Sequence, residues 1–287
     1  MFKKLNIILA AIISAVASCI IIIPNDAIEV FSLKFFLIII GTFIISLIVI
    51  LLLIVLLFVI MSFTFRKEEY EDIPKRRKKL FNLGVKFIID IVGVKVKYFG
   101  LEKLPKNQKF LLVANHRGIF DAVLLCYTFR NDNFVAVSKP ENFHLPIAGP
   151  WIKGMGHLAI DRENNRNALK TIIKCIKYIE EDKFSIGICP EGTRNKKEGL
   201  LPFKSGCFKI ASKAKCPLVI CTITNADKVF KNFPFKKTTM EFHIVDVIEY
   251  EDLKELSTHE IALLARRKMV ENLNINETLE ESKQMIE

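Results

Sequence analysis

The chain has 287 residues, 51% of them hydrophobic and 25% charged, with a formal net charge of +11 and a mean hydropathy of +0.30. That length suits one large domain with an appendage, and the hydrophobic excess sits in the first 65 residues, which points to membrane segments rather than an unusually apolar core. The seven cysteines (Cys19, Cys126, Cys175, Cys189, Cys207, Cys216 and Cys221) form no C-x-x-C pair; this argues against a disulfide framework or zinc site and for reduced thiols in a cytosolic compartment.

Leu5 to Ile23 is a 19-residue run without a charge, and Phe35 to Phe65 is a second, longer one. Each is long enough to cross roughly 30 Å of hydrocarbon as a helix. Pro24-Asn25-Asp26 and Glu29 make a polar turn between them. Lys3 and Lys4 precede the first run, and Arg66 and Lys67 follow the second. This bias puts both ends of a two-helix hairpin on the cytoplasmic side of the cell membrane. Ala15-Val16-Ala17 resembles a signal cleavage site, but the run continues through Ile20–Ile23, as a retained anchor does.

The cluster Lys75-Arg76-Arg77-Lys78-Lys79 follows. A solvated charge run and a nucleic-acid patch are the competing accounts. Beside a membrane segment, contact with anionic lipid headgroups is the reading adopted, with no nucleic-acid partner.

From about residue 85 the pattern becomes α/β. Lys109–Ala114, Asn133–Val137, Ser185–Cys189, Leu218–Thr224 and Glu241–Val247 read as strands, short and rich in Val, Ile and Phe. Asn164–Glu181 reads as a helix with an apolar stripe of Leu169, Ile172, Ile173, Ile176 and Ile179, and Phe208–Ala214 as a shorter one. The tail from Ser257 is helical in pattern, with Ile261, Leu264, Met269 and Leu273 as a packing stripe. The expected fold is α/β, with a mostly parallel or mixed sheet flanked by helices behind a two-helix membrane hairpin. The expected organisation is an anchor at 1–67, a basic juxtamembrane segment at 68–84, a globular domain at 85–250 and a helical tail at 251–287.

Residues 115–121 read Asn-His-Arg-Gly-Ile-Phe-Asp, directly after an apolar strand. Histidine takes and returns a proton near neutral pH, and a buried Asp can hold its ring in one tautomer. On a continuous helix, positions five apart point about 140° away from each other. His116 and Asp121 therefore meet only if the chain turns between them, which Gly118 permits, with a helix starting near Asp121. A core histidine beside a helix-capping Asp is the bland alternative.

Gly156 to Arg162 reads as a short strand ending in Asp161-Arg162, which brings a guanidinium to the sheet edge. Cys189-Pro190-Glu191-Gly192-Thr193-Arg194 follows another buried strand. Here Gly192 allows close backbone approach with its N–H as a donor, and Arg194 can fork onto phosphate oxygens. Surface ion pairs are the plain alternative for Arg162 and Arg194. His144, His157, His243 and His259 read as structural or surface residues. No His/Cys/Asp/Glu set has metal-ligand spacing, so no metal is expected, and no Walker loop or dinucleotide fingerprint occurs.

Asn115 to Asp121, Gly154 to Arg162, Pro190 to Arg194 and Cys216 to Ile220, in this order and spacing, resemble the four blocks of the glycerolipid acyltransferase family. The resemblance is strongest to 1-acylglycerol-3-phosphate O-acyltransferases and covers roughly residues 85–250. It implies transfer of an acyl group from a thioester, on coenzyme A or acyl carrier protein, to the sn-2 hydroxyl of lysophosphatidic acid, giving phosphatidic acid. These carriers are co-substrates, and no resident cofactor is implied. It implies that His116 is the general base and Asp121 its orienting partner. It further implies that Arg194, Glu191, Gly192, Thr193, Arg162 and Lys139 surround the acceptor phosphate, with a backbone N–H such as that of Gly192 facing the oxyanion. Lys139 matches only loosely, and His157-Leu158 stand where bulky apolar or aromatic residues are usual. No G-x-S-x-G occurs, in keeping with a reaction that needs no acyl-enzyme. The alternatives are another lysophospholipid or glycolipid acceptor, or a non-catalytic lipid-binding protein of the same fold.

Overall fold

A computed structural model describes residues 2–22, 32–63 and 73–287, with side chains at 7–21, 32–63 and 73–287. The turn at Pro24–Glu29 and the residues Arg66 and Lys67 lie outside the described residues, as do the side chains of Lys3 and Lys4. The chain divides into two compact units, residues 1–64 and 65–287.

The first unit pairs α1 (Phe2–Ile22) with α2 (Leu33–Ser62). Ser32 caps α2 by accepting the Phe35 N–H at 3.2 Å. Isoleucines and leucines such as Ile12, Ile20, Leu37 and Ile40 face outward, whereas Ser14, Ser18 and Ser46 are buried. Thr42 Oγ1 bonds Ser14 Oγ at 2.9 Å and Ser18 Oγ at 2.7 Å across the seam. Small polar residues inside and large apolar ones outside are the pattern of helices packed in hydrocarbon. Only α2 is long and apolar enough to cross a bilayer among the described residues; the apolar stretch of α1 is Ile7–Ile21.

The second unit runs α3 (Lys75–Val92), β1 (Lys95–Phe99), β2 (Leu111–Ala114), α4 (Ile119–Thr128), β3 (Phe134–Ser138), α5 (Ala148–Gly154), β4 (Leu158–Ala159), α6 (Asn165–Glu180), β5 (Ser185–Ile188), α7 (Lys209–Ala214), β6 (Leu218–Thr224), α8 (Val229–Asn232), β7 (Thr239–Ile248), α9 (Tyr250–Leu253), α10 (Thr258–Asn272) and α11 (Leu279–Gln284). Its seven strands form one mixed sheet in the order β1-β7-β6-β2-β5-β3-β4. Only the β6–β7 pairing is antiparallel.

The central strands are buried on both faces, which is why they read as continuous apolar runs. In β2, Leu111 and Val113 join the core beneath α6, α7 and α10, while Leu112 and Ala114 join the core beneath α3 and α4. This is the two-residue alternation of a strand. Each such Leu or Val contributes about 1.5–3 kcal/mol by leaving water.

Several elements depart from the sequence reading. The edge strand β1 was not anticipated. The basic cluster forms the first turns of α3, whose Phe81, Val85 and Ile89 are buried. Lys78 is tied back to the domain through Asn131 O at 3.0 Å and Asn133 Oδ1 at 3.2 Å. The buried stripe of α6 is narrower than expected: Ile172, Cys175 and Ile179 are buried, whereas Leu169 and Ile173 are exposed. The tail packs onto the domain, with Ile261 and Met269 fully buried and Leu264 and Leu273 half-buried against the same core.

Candidate active site

β2, β5, β3 and β4 are neighbours and mutually parallel. Their C-terminal ends therefore open on one edge of the sheet, where α/β folds gather ligands. The residues leaving these ends are Asn115-His116 from β2, Cys189 to Arg194 after β5, Lys139 from β3, and Asp161-Arg162 after β4. Segments far apart in sequence meet here because of strand order alone.

Asn115 anchors the end of β2. Its buried amide donates to Ile223 O at 3.0 Å and accepts from Ile223 N at 2.7 Å, holding it to β6. The chain then turns, and α4 begins at Ile119. His116 Nδ1 lies 2.9 Å from Asp121 Oδ2. The same oxygen accepts the N–H of Arg117 at 2.6 Å and of Gly118 at 2.8 Å. Asp121 is fully buried, while His116 is half-buried and faces the site. A carboxylate can only accept, so Nδ1 carries the hydrogen and Nε2 keeps its lone pair for a substrate proton. The turn expected between these residues is present.

Glu191 is buried. Its Oε1 accepts the His116 N–H at 2.7 Å and its Oε2 accepts the Leu201 N–H at 2.8 Å. Asn195 N donates to His116 O at 2.7 Å, so the loop after β5 grips the His116 peptide on both sides. Burial raises the Glu191 pKa, opposed by the two amide bonds. With both oxygens on peptide N–H groups, the Glu191 carboxylate holds the histidine loop in place.

Gly192 sits at φ +72°. Its N–H closes a turn onto Cys189 O at 3.1 Å. The side chains of Arg162 and Lys204 pack where a Cβ would point, at 3.5 and 3.4 Å.

His116, Thr193, Arg194, Arg162 and Lys139 line one cavity of about 290 Å³. Its remaining wall is largely apolar, with Val123, Leu125, Ala136, Val137, Leu145 and Ile152. Arg194, Thr193 and Lys139 are exposed, and Arg162 is half-buried. Burial lowers the Arg162 pKa. Thus a proton-accepting imidazole, three cationic side chains and an apolar groove share one opening.

Two further residues in the groove carried no functional signal in sequence. His157 is buried and its Nδ1 accepts the Ala136 N–H at 2.8 Å. Burial pushes its pKa down to about 4, so it is a neutral wall residue. Cys189 also lines the groove. Burial and the nearby charges of Asp121 and Glu191 push its thiol pKa well up, the opposite of an activated nucleophile. His144 and His259 are exposed, and His243 stacks on Phe99 at 4.3 Å.

Arg266 was also unread. It is fully buried on α10 and paired with Glu277 through two bonds of 2.7 Å. It donates to Leu201 O at 2.7 Å and Leu200 O at 3.2 Å. Because Leu201 N–H binds Glu191, the tail braces the loop that braces His116.

Residues 95–224 match the family model described as Acyltransferase. Among curated proteins, the chain is 29% identical over 191 residues to the 1-acyl-sn-glycerol-3-phosphate acyltransferase of Borreliella burgdorferi, covering 66% of this chain and 76% of the relative. It is 29% identical over 201 residues to the protein of the same description from Salmonella typhimurium, covering 68% and 82%. Among solved structures, the 1-acyl-sn-glycerophosphate (LPA) acyltransferase PlsC from Thermotoga maritima shares the fold. The TM-score is 0.56 at 20% identity, over 77% of this chain and 89% of that one.

Proposed function

We propose that this chain is a membrane-anchored enzyme that moves a fatty acyl group from an acyl thioester to the sn-2 hydroxyl of 1-acylglycerol-3-phosphate, giving phosphatidic acid. The observation that carries the reading is the His116–Asp121 pair, 2.9 Å apart, in a groove that also presents Arg162, Arg194 and Lys139. The names of the similar curated proteins support the same acceptor.

In this account His116 Nε2 takes the proton of the sn-2 hydroxyl as its oxygen attacks the thioester carbonyl. Asp121 stabilises the resulting imidazolium. The tetrahedral intermediate collapses with cleavage of the C–S bond, and the thiolate leaves as thiol with the proton from His116. Arg194 holds the acceptor phosphate by charge-assisted hydrogen bonds, with Arg162 and Lys139 adding positive charge. An acyl chain lies along the apolar wall. The raised pKa of the Cys189 thiol favours direct transfer over an acyl-enzyme.

The anchor is α2, whose 30 residues (Leu33–Ser62) are apolar enough to cross a bilayer, joined by α1. The lysine and arginine bias puts the globular unit on the cytoplasmic face, where coenzyme A and acyl carrier protein thioesters are found.

The test is a panel of acceptors given to the purified chain with an acyl thioester, with product identified by mass. Lysophosphatidate is expected to be preferred, and Arg194→Ala to raise its KM about tenfold or more. Equal use of acceptors lacking a phosphomonoester, unchanged by Arg194→Ala, would overturn the acceptor assignment.

A further inference from the structure

We infer that residues 228–237 form a second membrane-contacting element, a loop of the catalytic unit that inserts into an anionic lipid interface beside the active site. The segment reads Lys-Val-Phe-Lys-Asn-Phe-Pro-Phe-Lys-Lys, with three phenylalanines, four lysines and no acid. Phe230 is 59% exposed, Phe233 41% and Phe235 98%. Three solvent-facing phenylalanines within six residues form an apolar patch of the kind that marks an interaction surface.

The exposure is built in. Ala226 and Val229 are buried and fix the start of the segment in the core beneath α4. The loop is closed by its own hydrogen bonds: Phe233 N to Val229 O at 3.0 Å, Lys236 N to Asn232 O at 2.7 Å, and Asn232 Nδ2 to Thr238 Oγ1 at 2.8 Å. Phe235 is thus held outward on a bonded frame.

The partner is a lipid surface, and the charge pattern says why. Lysine is depleted from the cores of protein interfaces, whereas here it alternates with phenylalanine. Apolar rings immersed at the acyl boundary, with lysines reaching back to headgroups, are how a monotopic segment sits on a membrane. Asp227 lies 3.7 Å from Lys231; no carboxylate pairs with Lys228, Lys236 or Lys237 among the described residues. Their charge is available to anionic lipid.

The placement matters for catalysis. A Cβ on Gly118 would fall 2.8 Å from Ala226 O, so the base of the loop lies against the turn carrying His116. The Phe230 ring meets Phe120 edge-on at 5.1 Å, one residue before Asp121. A loop seated in the interface would bring the His116 turn to the layer where a lysophospholipid headgroup lies. The seating itself does not depend on the reaction proposed above.

Phe235→Trp in the full-length chain provides the probe, because the natural chain has one tryptophan, Trp151, which is 6% exposed. The protein is reconstituted into phosphatidylglycerol–phosphatidylcholine vesicles with brominated acyl chains. The emission added by Phe235→Trp is expected to be quenched by the brominated chains and shielded from aqueous acrylamide. Combining Phe235→Trp with Lys231→Glu, Lys236→Glu and Lys237→Glu is expected to reduce that quenching at least twofold. Added emission that is insensitive to bromination and open to acrylamide would overturn the inference and point to a protein partner. Quenching that survives charge reversal unchanged would overturn the anionic-lipid assignment. Neither readout requires acyl transfer, so failure of the proposed reaction would not be mistaken for failure of the loop.

Discussion

The Glu191 carboxylate receives the backbone N–H of His116 at 2.7 Å. This bond joins the loop after β5 to the loop after β2, and its partner is a peptide group rather than a ligand. In the proposed reaction, Glu191 acts by holding the peptide whose side chain would take the proton.

Glu191→Gln tests that role. An amide presents only one acceptor oxygen, so either the His116 or the Leu201 N–H is left facing an NH₂ group. A buried donor without a partner costs about 1–3 kcal/mol. The expected outcome is a kcat roughly 10–100-fold lower, with the KM for the lysophospholipid acceptor within about threefold of the original. Steady-state kinetics at varied acceptor check it. A raised KM with kcat preserved would return Glu191 to the acceptor site.

Arg266→Ala leaves Glu277 partly buried without its bidentate partner and frees the carbonyls of Leu200 and Leu201. Breaking a buried pair from one side typically costs about 3–5 kcal/mol. Thermal unfolding is expected to shift down by at least about 6 °C for a unit of this size. A shift under about 2 °C would mean that the tail does not brace the Glu191 loop.

His157 makes the fold sensitive to acid. Its folded pKa is about 4, against an ordinary value of 6.5. Between these values the unfolded chain binds a proton that the folded chain excludes. The neutral ring's contribution is therefore full above pH 6.5 and declines as pH falls toward 4, by up to about 3 kcal/mol. His157→Asn keeps an acceptor for the Ala136 N–H but does not titrate. Unfolding midpoints measured from pH 7 to pH 4.5 are expected to fall more steeply for the natural protein than for this variant. Parallel curves would contradict the assignment.

The site was legible in sequence where its geometry is local. His116 and Asp121 lie five positions apart across a glycine-bearing turn, and that spacing alone required the bend. The strand at 218–224 was legible to the residue because both its faces are buried and Pro217 precedes it. The convergence of Lys139, Arg162 and Arg194 on His116 was expected only from family likeness; it arises from the order β2-β5-β3-β4, which no local pattern encodes. The amide contacts of Glu191 were hidden because backbone partners carry no residue signature. The bond from Gly192 N–H to Cys189 O was hidden for the same reason. β1 escaped because Lys95-Val96-Lys97 is a half-exposed edge, where alternation with lysine resembles a charged loop.

The central claim is that His116 is the base that activates a lipid hydroxyl. The direct measurement is thiol release by the purified chain supplied with an acyl thioester and lysophosphatidate, compared with His116→Ala. The natural chain is expected to release thiol in step with phosphatidic acid, and His116→Ala to lose at least about 100-fold in rate with its folding intact. A folded His116→Ala protein that turns over at the natural rate would contradict the account.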